Sequence, residues 1–297
     1  MEEKIVIFGG GGFIGSALAR HFSSQNCKVV IPTRSDPQSP YFWNLSKGIL
    51  SEKILEGAMA VINLAGESIY GFWNSAKKSR ILSSRVSAAK LIAQKICKMK
   101  RPPNVFINAS AVGYYGAAPK SVCCEQSKKG AGFLANVCAQ SERAAQRASR
   151  SGARVVHLRQ GVVIGGGGGV VKMLTPLFKM FLGAKISRGE NYMPWISIAD
   201  LVRLYDFAVS EESLRGRVNA VSPFIATNAD FADALAKKLH RPRLLRIPKF
   251  LIRLIFGQMA DEAILASQIV LPQKLADLRF DFSDKTIAEA INKNHNL

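Results

Sequence analysis

KIVIFGGGGFIGSALA, residues Lys4–Ala19, is the stretch that decides the fold. It begins with the apolar run Ile5–Phe8, whose length and β-branched content are typical of a buried strand. Four glycines, Gly9–Gly12, and then Gly15 follow, and the run Ser16–Ala19 has the small, helix-forming composition of a first helical turn. Because a strand precedes the glycines and a helix follows them, their GxxGxxG spacing predicts a phosphate-binding turn.

Each glycine of this motif has its own physical reason. Gly9 allows a tight turn, Gly12 lets the backbone approach a pyrophosphate without an intervening Cβ, and Gly15 lets the helix pack closely on the strand. The first N–H groups of the helix and its positive dipole end would face the phosphates. We therefore predict that a dinucleotide binds at Gly9, Gly12, Phe13, Ile14 and Gly15. The alternative is a glycine-rich turn without a ligand.

The second strand is predicted at 27–31, and the residues that follow it indicate which dinucleotide binds. Dinucleotide folds that prefer NAD carry an acidic residue there, which bonds the ribose 2′-hydroxyl. This sequence instead has Thr33, Arg34 and Ser35, and Arg34 lies 19 positions after Gly15. A guanidinium can pair with a 2′-phosphate through two N–H groups, so these residues predict NADP. One alternative is that Arg34 is an ordinary arginine in a surface loop. The other is that Asp36 makes a weaker contact to NAD.

Two further segments are predicted to border the same cofactor. A strand predicted at 58–67 ends in residues that would let the adenosine half approach the backbone: Leu64, Ala65 and Gly66. An amphipathic helix predicted at 75–100 carries Arg85, which could reach a phosphate or a ribose. The alternative for the first segment is an ordinary buried strand that ends in a glycine turn. The alternative for Arg85 is a solvated charge on the helix.

Strands continue to alternate with helices through residue 164, which predicts a Rossmann-type, doubly wound α/β fold with a parallel sheet. We assign residues 1–169 to this dinucleotide-binding domain, with a returning strand near 216–222, and 170–297 to a smaller C-terminal substrate-binding or cap region. Helices are predicted at 131–150, at 173–182 and at 228–239, the last with Asn228 as its cap. The loop Gly165–Gly169 either covers a ligand or only connects two elements.

Ser110 ends the strand predicted at 105–110, and Tyr114 and Tyr115 follow it. The carboxyl ends of strands in an open parallel sheet border the ligand crevice. Ser110 is therefore a candidate for contact with a substrate.

The composition describes an ordinary globular protein. Of its 297 residues, 48% are hydrophobic and 21% are charged. Five cysteines without CxxC spacing predict neither a disulfide framework nor a metal site. The chain enters its first strand at Lys4 and has no run of 18 uncharged apolar residues, so we expect no signal peptide, no membrane span and a reducing, cytoplasmic location.

The net charge of +20 raises the question of nucleic-acid binding. The positive residues are spread over 77–101, 143–154 and 237–253, within helical patterns rather than in a tail. No RNA-binding aromatic motif and no helix-turn-helix signature accompanies them, so we expect no nucleic-acid partner. A positive field also suits an anionic dinucleotide.

The order of the motifs resembles that of the extended short-chain dehydrogenase/reductases, the NAD-dependent epimerase/dehydratase family. The resemblance is strongest to atypical members that carry a C-terminal domain of unknown function, here 245–297. The matching segments are FGGGGFIG (Phe8–Gly15), PTRS (Pro32–Ser35), INLAGE (Ile62–Glu67), KKSRILSSRV (Lys77–Val86), SAVGYYG (Ser110–Gly116), LRQGVVIG (Leu158–Gly165), MPWISIADL (Met193–Leu201), VNAVSP (Val218–Pro223) and LPQKL (Leu271–Leu275). Besides the glycine turn, the resemblance implies that NADP is bound by Thr33, Arg34, Leu64, Ala65, Arg85 and Val163.

The sequence departs from this family at its catalytic pair. Working members use a tyrosine and a lysine four residues later, whose ammonium lowers the pKa of the phenol. No YxxxK occurs here, and the positions eight and four residues before Glu142 are Leu134 and Cys138. The resembling subfamily also lacks the pair. In addition, Ser197 stands where that subfamily usually has histidine.

Two functions remain open. The first is an NADP-dependent epimerase or oxidoreductase that acts on a small molecule, with Ser110 polarising a carbonyl and Tyr114 or Tyr115 as the nearest phenol. The second is a non-catalytic protein that senses NADP(H) or pairs with another protein, which the missing pair favours. A regulatory role in cell division would rest on charge and family labels alone.

Overall fold

Strands and helices alternate along most of the chain. The computed structural model describes residues 3–117, 122–243 and 245–293. In chain order the strands are β1 (Lys4–Phe8), β2 (Lys28–Val30), β3 (Trp43–Asn44), β4 (Ile49–Leu50), β5 (Ala58–Asn63), β6 (Val105–Ala111), β7 (Arg154–Gln160), β8 (Val162–Ile164), β9 (Ala184–Ile186), β10 (Trp195–Ser197), β11 (Gly216–Ala220) and β12 (Leu245–Ile247).

The helices fall between these strands and after them. They are α1 (Phe13–Ser24), α2 (Glu52–Leu55), α3 (Ser75–Ile96), α4 (Phe133–Gln146), α5 (Gly169–Lys179), α6 (Ile198–Ser210), α7 (Asn228–Lys238), α8 (Lys249–Phe256), α9 (Gln273–Asp277) and α10 (Ile287–Asn292). Short 3-10 turns occupy Val112–Tyr115 and Arg147–Ser151, and a π turn occupies Ala260–Ile264. None of the described helices is both long enough and apolar enough to cross a bilayer.

Six of the strands form one sheet in the order β11-β7-β6-β5-β1-β2, and every neighbouring pair is parallel. Alternate residues of β1 point to opposite faces. Val6 and Phe8 join a buried cluster with α3 and α4, whereas Ile5 and Ile7 join one with α1 and α6. The sheet is therefore covered by helices on both faces, which confirms the predicted doubly wound α/β fold.

The strand order reverses beside β1. From β1 the chain passes through α1 to β2 at the sheet edge, and then returns to β5 on the other side of β1. In open α/β sheets, ligands bind outside the carboxyl ends of the strands at such a reversal. The carboxyl ends of β1 and β5 consequently mark the candidate crevice, and the glycine turn lies directly after β1.

The chain after residue 170 contributes both to this sheet and to a smaller cluster. Strand β11 pairs with β7 as the edge strand, and α6 packs on the face covered by α1. Outside the sheet, α5, α7 and α10 surround a second core that includes Trp195 and Phe231. The assignment of 170–297 to substrate binding stays a prediction.

Element boundaries differ from the sequence predictions where side chains bond the backbone. β5 ends at Asn63, four residues before the predicted end, because the Asn63 side chain accepts from the Ala65 N–H at 3.2 Å. The predicted cap of α7 was wrong by one residue. Thr227, not Asn228, accepts from the backbone of Asp230, whose carboxylate bonds the Thr227 N–H in return.

The capping box at the start of α7 gives a stability prediction. Thr227→Ala removes the hydroxyl that accepts from the Asp230 N–H, and we expect a loss of about 1 kcal/mol in the free energy of unfolding. Thr227→Ser keeps the hydroxyl and should lose much less. Urea denaturation of the two variants measures the difference, and an equal loss in both would contradict the role of the hydroxyl.

Candidate functional site

The turn after β1 requires glycine at two positions for reasons of packing. Gly9 has a φ of +81°, and a Cβ there would lie 3.0 Å from the carbonyl oxygen of Leu64. A Cβ on Gly15 would lie only 2.3 Å from the carbonyl oxygen of Gly9. Helix α1 can approach the strand this closely only because both side chains are absent.

The start of α1 has the properties of an anion site. Gly12 is its N-cap residue, so no side chain caps the helix, and the first turn carries no acidic residue. A Cβ on Gly12 would meet only the carbonyl oxygen of Gly9, at 3.4 Å, so the protein's own packing does not demand glycine there. Helix N-termini without a capping side chain leave N–H groups for a ligand, and phosphate groups commonly bind at such positions.

Phe13 connects the turn to the glycine loop that precedes α5. A Cβ on Gly165 or Gly168 would lie 2.7 or 2.5 Å from atoms of the Phe13 side chain. Close packing against Phe13 therefore explains why these positions of the loop are glycine. Val163 lies just before it, in β8, where it pairs with Ile196 of β10.

Arg34 is exposed and pairs with no carboxylate among the described residues. Its guanidinium carbon lies 6.0 Å from the centre of the Trp43 ring. Thr33 and Ser35 hold the loop around it, with their hydroxyl oxygens 3.1 Å apart. The carboxylate of Asp36 accepts from the Gln38 N–H at 3.0 Å and so has a local role. Arg34 is the charged group available to a 2′-phosphate here.

Arg85 reaches the end of β5 from α3. Its Nη1 donates to the carbonyl oxygens of Glu67, at 2.9 Å, and Ile81, at 3.3 Å. A Cβ on Gly66 would lie 3.1 Å from the guanidinium carbon, so the backbone and the guanidinium are in close contact. Burial lowers the pKa of Arg85. The structure thus brings Arg85 and the predicted residues Leu64, Ala65 and Gly66 to one edge, rather than leaving Arg85 as a solvated charge.

Ser110 belongs to a buried network around a single ion pair. Arg159 of β7 donates to both carboxylate oxygens of Glu142 of α4, each at 2.8 Å, and its side chain is fully buried. The Ser110 hydroxyl donates to the same carboxylate at 2.7 Å. Burial by itself lowers the pKa of Arg159, but the bonds and charge of Glu142 outweigh it, and the pKa rises.

The two predicted tyrosines flank this ion pair differently. The Tyr115 hydroxyl donates to Asn219 Oδ1 at 2.6 Å and accepts from Arg159 Nη1 at 3.0 Å. Burial raises its pKa to about 12. Tyr114 offers its ring, whose centre lies 3.4 Å from the guanidinium carbon of Arg159. Because its hydroxyl is bonded on both sides, Tyr115 is poorly suited to move a proton near neutral pH.

The structure shows what surrounds Leu134 and Cys138, the two positions of α4 that correspond to the missing catalytic pair. Leu134 packs against Gly113, where a Cβ would lie 3.3 Å from the Leu134 Cβ. Cys138 is buried beside Ser110, and burial raises the pKa of its thiol, which keeps it protonated at neutral pH. Ser197 caps α6 by accepting from the Asp200 N–H at 3.0 Å.

Several polar contacts were missed by the sequence reasoning. Asn63 donates to Asn108 at 2.8 Å, and Asn108 donates to Ser141 at 3.3 Å, which joins β5, β6 and α4. The carboxylate of Glu262, 129 positions away from Phe133, accepts from the first N–H groups of α4. Of these residues, only the asparagines could have been predicted from the sequence, because they are polar residues within otherwise apolar strands.

Comparison with known proteins shows the family of this chain. Residues 5–220 match the family described as NAD dependent epimerase/dehydratase. The chain belongs to the NAD dependent epimerase/dehydratase family. Residues 247–293 match a second family, a domain of unknown function, DUF1731. The epimerase family protein Mb2239 of Mycobacterium bovis is 37% identical over 290 residues, which cover 97% of this chain and 96% of that protein.

Two solved structures of this family extend the similarity to the whole fold. The human epimerase family protein SDR39U1, crystallised with NADPH, has a TM-score of 0.88 and 29% identity, with 98% of each chain covered. A nucleoside-diphosphate sugar epimerase from Corynebacterium glutamicum has a TM-score of 0.80 and 31% identity, over 98% of this chain and 57% of its own. These relatives support the family's α/β fold over nearly the full length.

The different bonding of the two tyrosines is testable. Tyr115→Phe leaves two buried atoms, Arg159 Nη1 and Asn219 Oδ1, without their hydrogen-bond partner, so we expect the free energy of unfolding to fall by roughly 1–3 kcal/mol. Tyr114→Phe keeps the ring against Arg159 and should change stability by less than about 0.5 kcal/mol. Urea denaturation distinguishes them, and equal losses would contradict the bonding described for Tyr115.

Proposed function

We propose that this chain binds NADP(H) across the carboxyl ends of β1 and β5. The observation that carries the proposal is the pairing of an uncapped helix N-terminus at Gly12 with an exposed Arg34 that has no ion-pair partner among the described residues. The first suits a pyrophosphate and the second a 2′-phosphate. The human relative of similar fold, which was crystallised with NADPH, supports the same cofactor.

In this proposal the phosphates lie on the turn formed by Gly9, Gly12, Phe13, Ile14 and Gly15. Thr33, Arg34 and Ser35 hold the adenosine end. Leu64, Ala65, Gly66 and Arg85 border its other side, and Val163 borders the far half. When bound, NADP(H) supplies a hydride donor or acceptor at its nicotinamide ring.

We further propose a reaction on a small molecule held between the sheet and the region 170–297. Ser110 is the polar group at the carboxyl end of β6, and its oxygen keeps lone pairs after the hydroxyl donates to Glu142. It can therefore accept a hydrogen bond from a substrate hydroxyl and position it. Tyr114, four residues after Ser110, is a phenol that is not bonded on both sides.

A second candidate, a non-catalytic NADP(H) sensor, follows from a different observation. Three of the four groups considered for proton transfer are engaged or unsuited, which leaves Tyr114 alone: Tyr115 is bonded twice, Cys138 is a buried thiol, and Leu134 has no proton to give. In a sensor the buried network would only hold α4 against the sheet. The family name alone does not separate the two candidates.

The partners and location are also proposals. All five cysteines lie among the described residues and none is joined in a disulfide, which suits a reducing compartment such as the cytoplasm. The positive charge lies along helices rather than in a recognition motif, so we propose a small-molecule partner and no nucleic acid.

Replacing Arg34 tests the cofactor preference. Arg34→Ala should weaken NADPH binding by roughly 1–3 kcal/mol, the contribution of a hydrogen bond between charged groups, and should leave NADH binding nearly unchanged. Isothermal titration calorimetry with both cofactors measures this. Arg20→Ala, which removes an exposed arginine of α1, is the control for net charge. Equal losses of NADPH and NADH binding would refute the 2′-phosphate contact.

Replacing Ser110 separates the enzyme from the sensor. Ser110→Ala should leave NADPH binding intact and abolish any conversion of the probes UDP-glucose and UDP-N-acetylglucosamine. Conversion is measured with NADP⁺, because a hydroxyl of the probe must first be oxidised, and is followed by chromatography of the sugar nucleotide and by the absorbance of the NADPH that forms. Conversion that persists in Ser110→Ala would make Ser110 structural. Tight NADPH binding without conversion by the wild type would favour the sensor.

A further inference from the structure

A second cavity lies away from the glycine turn. It has a volume of about 820 Å³ and is bounded by α4, by the 3-10 turn that follows it, and by β11 and α9. This volume falls within the range of roughly 300–1,000 Å³ found for small-molecule sites. The residues that line it include none of the predicted cofactor residues, and they share only Tyr114 with the predicted catalytic ones.

The rim of this cavity is strongly positive. Arg143, Arg147 and Arg150 are spaced four and three residues apart, which places them on one side of the helical segment. Arg217 of β11 also lines the cavity. Within residues 3–117, 122–243 and 245–293, none of these four guanidinium groups forms an ion pair. Positive groups that lack counter-charges around one cavity favour an anionic ligand.

The floor carries two buried acceptors. Glu125 is 2% exposed; its Oε1 accepts from the Asn219 N–H at 3.0 Å, but its Oε2 has no partner within the described part of the chain. His157 is 3% exposed; its Nε2 lies 3.0 Å from Gln146 Oε1, and its Nδ1 is likewise unpartnered. Burial lowers the pKa of His157 to about 4, so with Nε2 donating, Nδ1 is a bare acceptor. Both acceptors lack a donor, and because neither atom has accessible surface, a ligand in the cavity reaches them only when these side chains turn toward it.

We propose that this cavity binds a small phosphorylated molecule whose phosphate meets the arginine rim and whose hydroxyl or amino groups donate to Glu125 and His157. A free anion alone would leave the two buried acceptors unpaired, and a neutral sugar would leave the rim uncompensated. A phosphorylated sugar or a nucleoside monophosphate satisfies both sets of groups. The site does not depend on the dinucleotide crevice.

The cavity also adjoins the network at Ser110. Glu142 lines the cavity with its side chain and holds both Arg159 and Ser110 through its carboxylate. A ligand in this cavity would therefore lie one residue away from Ser110.

Titration calorimetry on the full chain tests the site, with glucose 6-phosphate, AMP and inorganic phosphate as probes and NADPH present in excess. The double variant Arg147→Ala/Arg150→Ala should weaken binding of glucose 6-phosphate or AMP by at least about tenfold, as expected for lost charged hydrogen bonds. The matched control Arg20→Ala/Arg101→Ala removes two exposed arginines elsewhere and should not. Binding of either organic probe supports the proposal and shows whether the ligand is a sugar phosphate or a nucleotide.

Glu125→Gln tests the floor separately. It keeps the Oε1 acceptor for Asn219 but replaces the unpartnered Oε2 with a donor, so the organic probes should lose about tenfold in affinity while inorganic phosphate does not. Failure of all probes to bind the wild type, or equal losses in the rim and control variants, would overturn the site. So would loss of binding in Gly12→Val, because the probes would then occupy the dinucleotide turn.

Discussion

The close approach of α1 to the end of β1 is the constraint on which the crevice depends. With no side chain on Gly9 or Gly15, the first turn of the helix lies against the preceding backbone, at a separation that any Cβ would prevent. The start of the helix is thereby held at the reversal of strand order, where its N–H groups face outward from the sheet. Phe13, the next residue in the helix, fills the space left by the glycines before α5. The absence of side chains at these glycines thus sets the position of the helix start and of the loop before α5.

A second constraint acts on the other side of the crevice, where charge is buried. Removing Glu142 and Arg159 from water is costly, and such a pair is tolerated only when its remaining donors and acceptors are bonded. Here Ser110 and Tyr115 bond it, and the ring of Tyr114 covers it. Groups that bond a buried ion pair are held rigidly and have little freedom for proton transfer. The stability of this ion pair therefore depends on the same side chains that are candidates for chemistry at this end of the sheet.

The sequence predicts those features whose causes are local. The glycine turn, the strand–helix alternation and the exposed Arg34 each depend on residues within one short segment, and the first two appear in the structure as predicted. The hydrogen bond between Tyr115 and Asn219 joins residues that are 104 positions apart, and no local sequence pattern predicts it. The helix cap at Thr227 was missed for a different reason. Asn228 and Thr227 are both good caps, and only the observed bond to Asp230 decides between them.

The C-terminal segment contributes directly to the position of α4. Helix α4 begins after Gly132, which offers no capping side chain and has a φ of +111°. Glu262, from the segment that matches the domain of unknown function, supplies the missing acceptors and bonds the N–H groups of Phe133 and Leu134. A carboxylate at a helix N-terminus is stabilised by the helix dipole. Because α4 also carries Glu142, the C-terminal segment helps to set the position of the buried ion pair, and the two matched segments pack against each other.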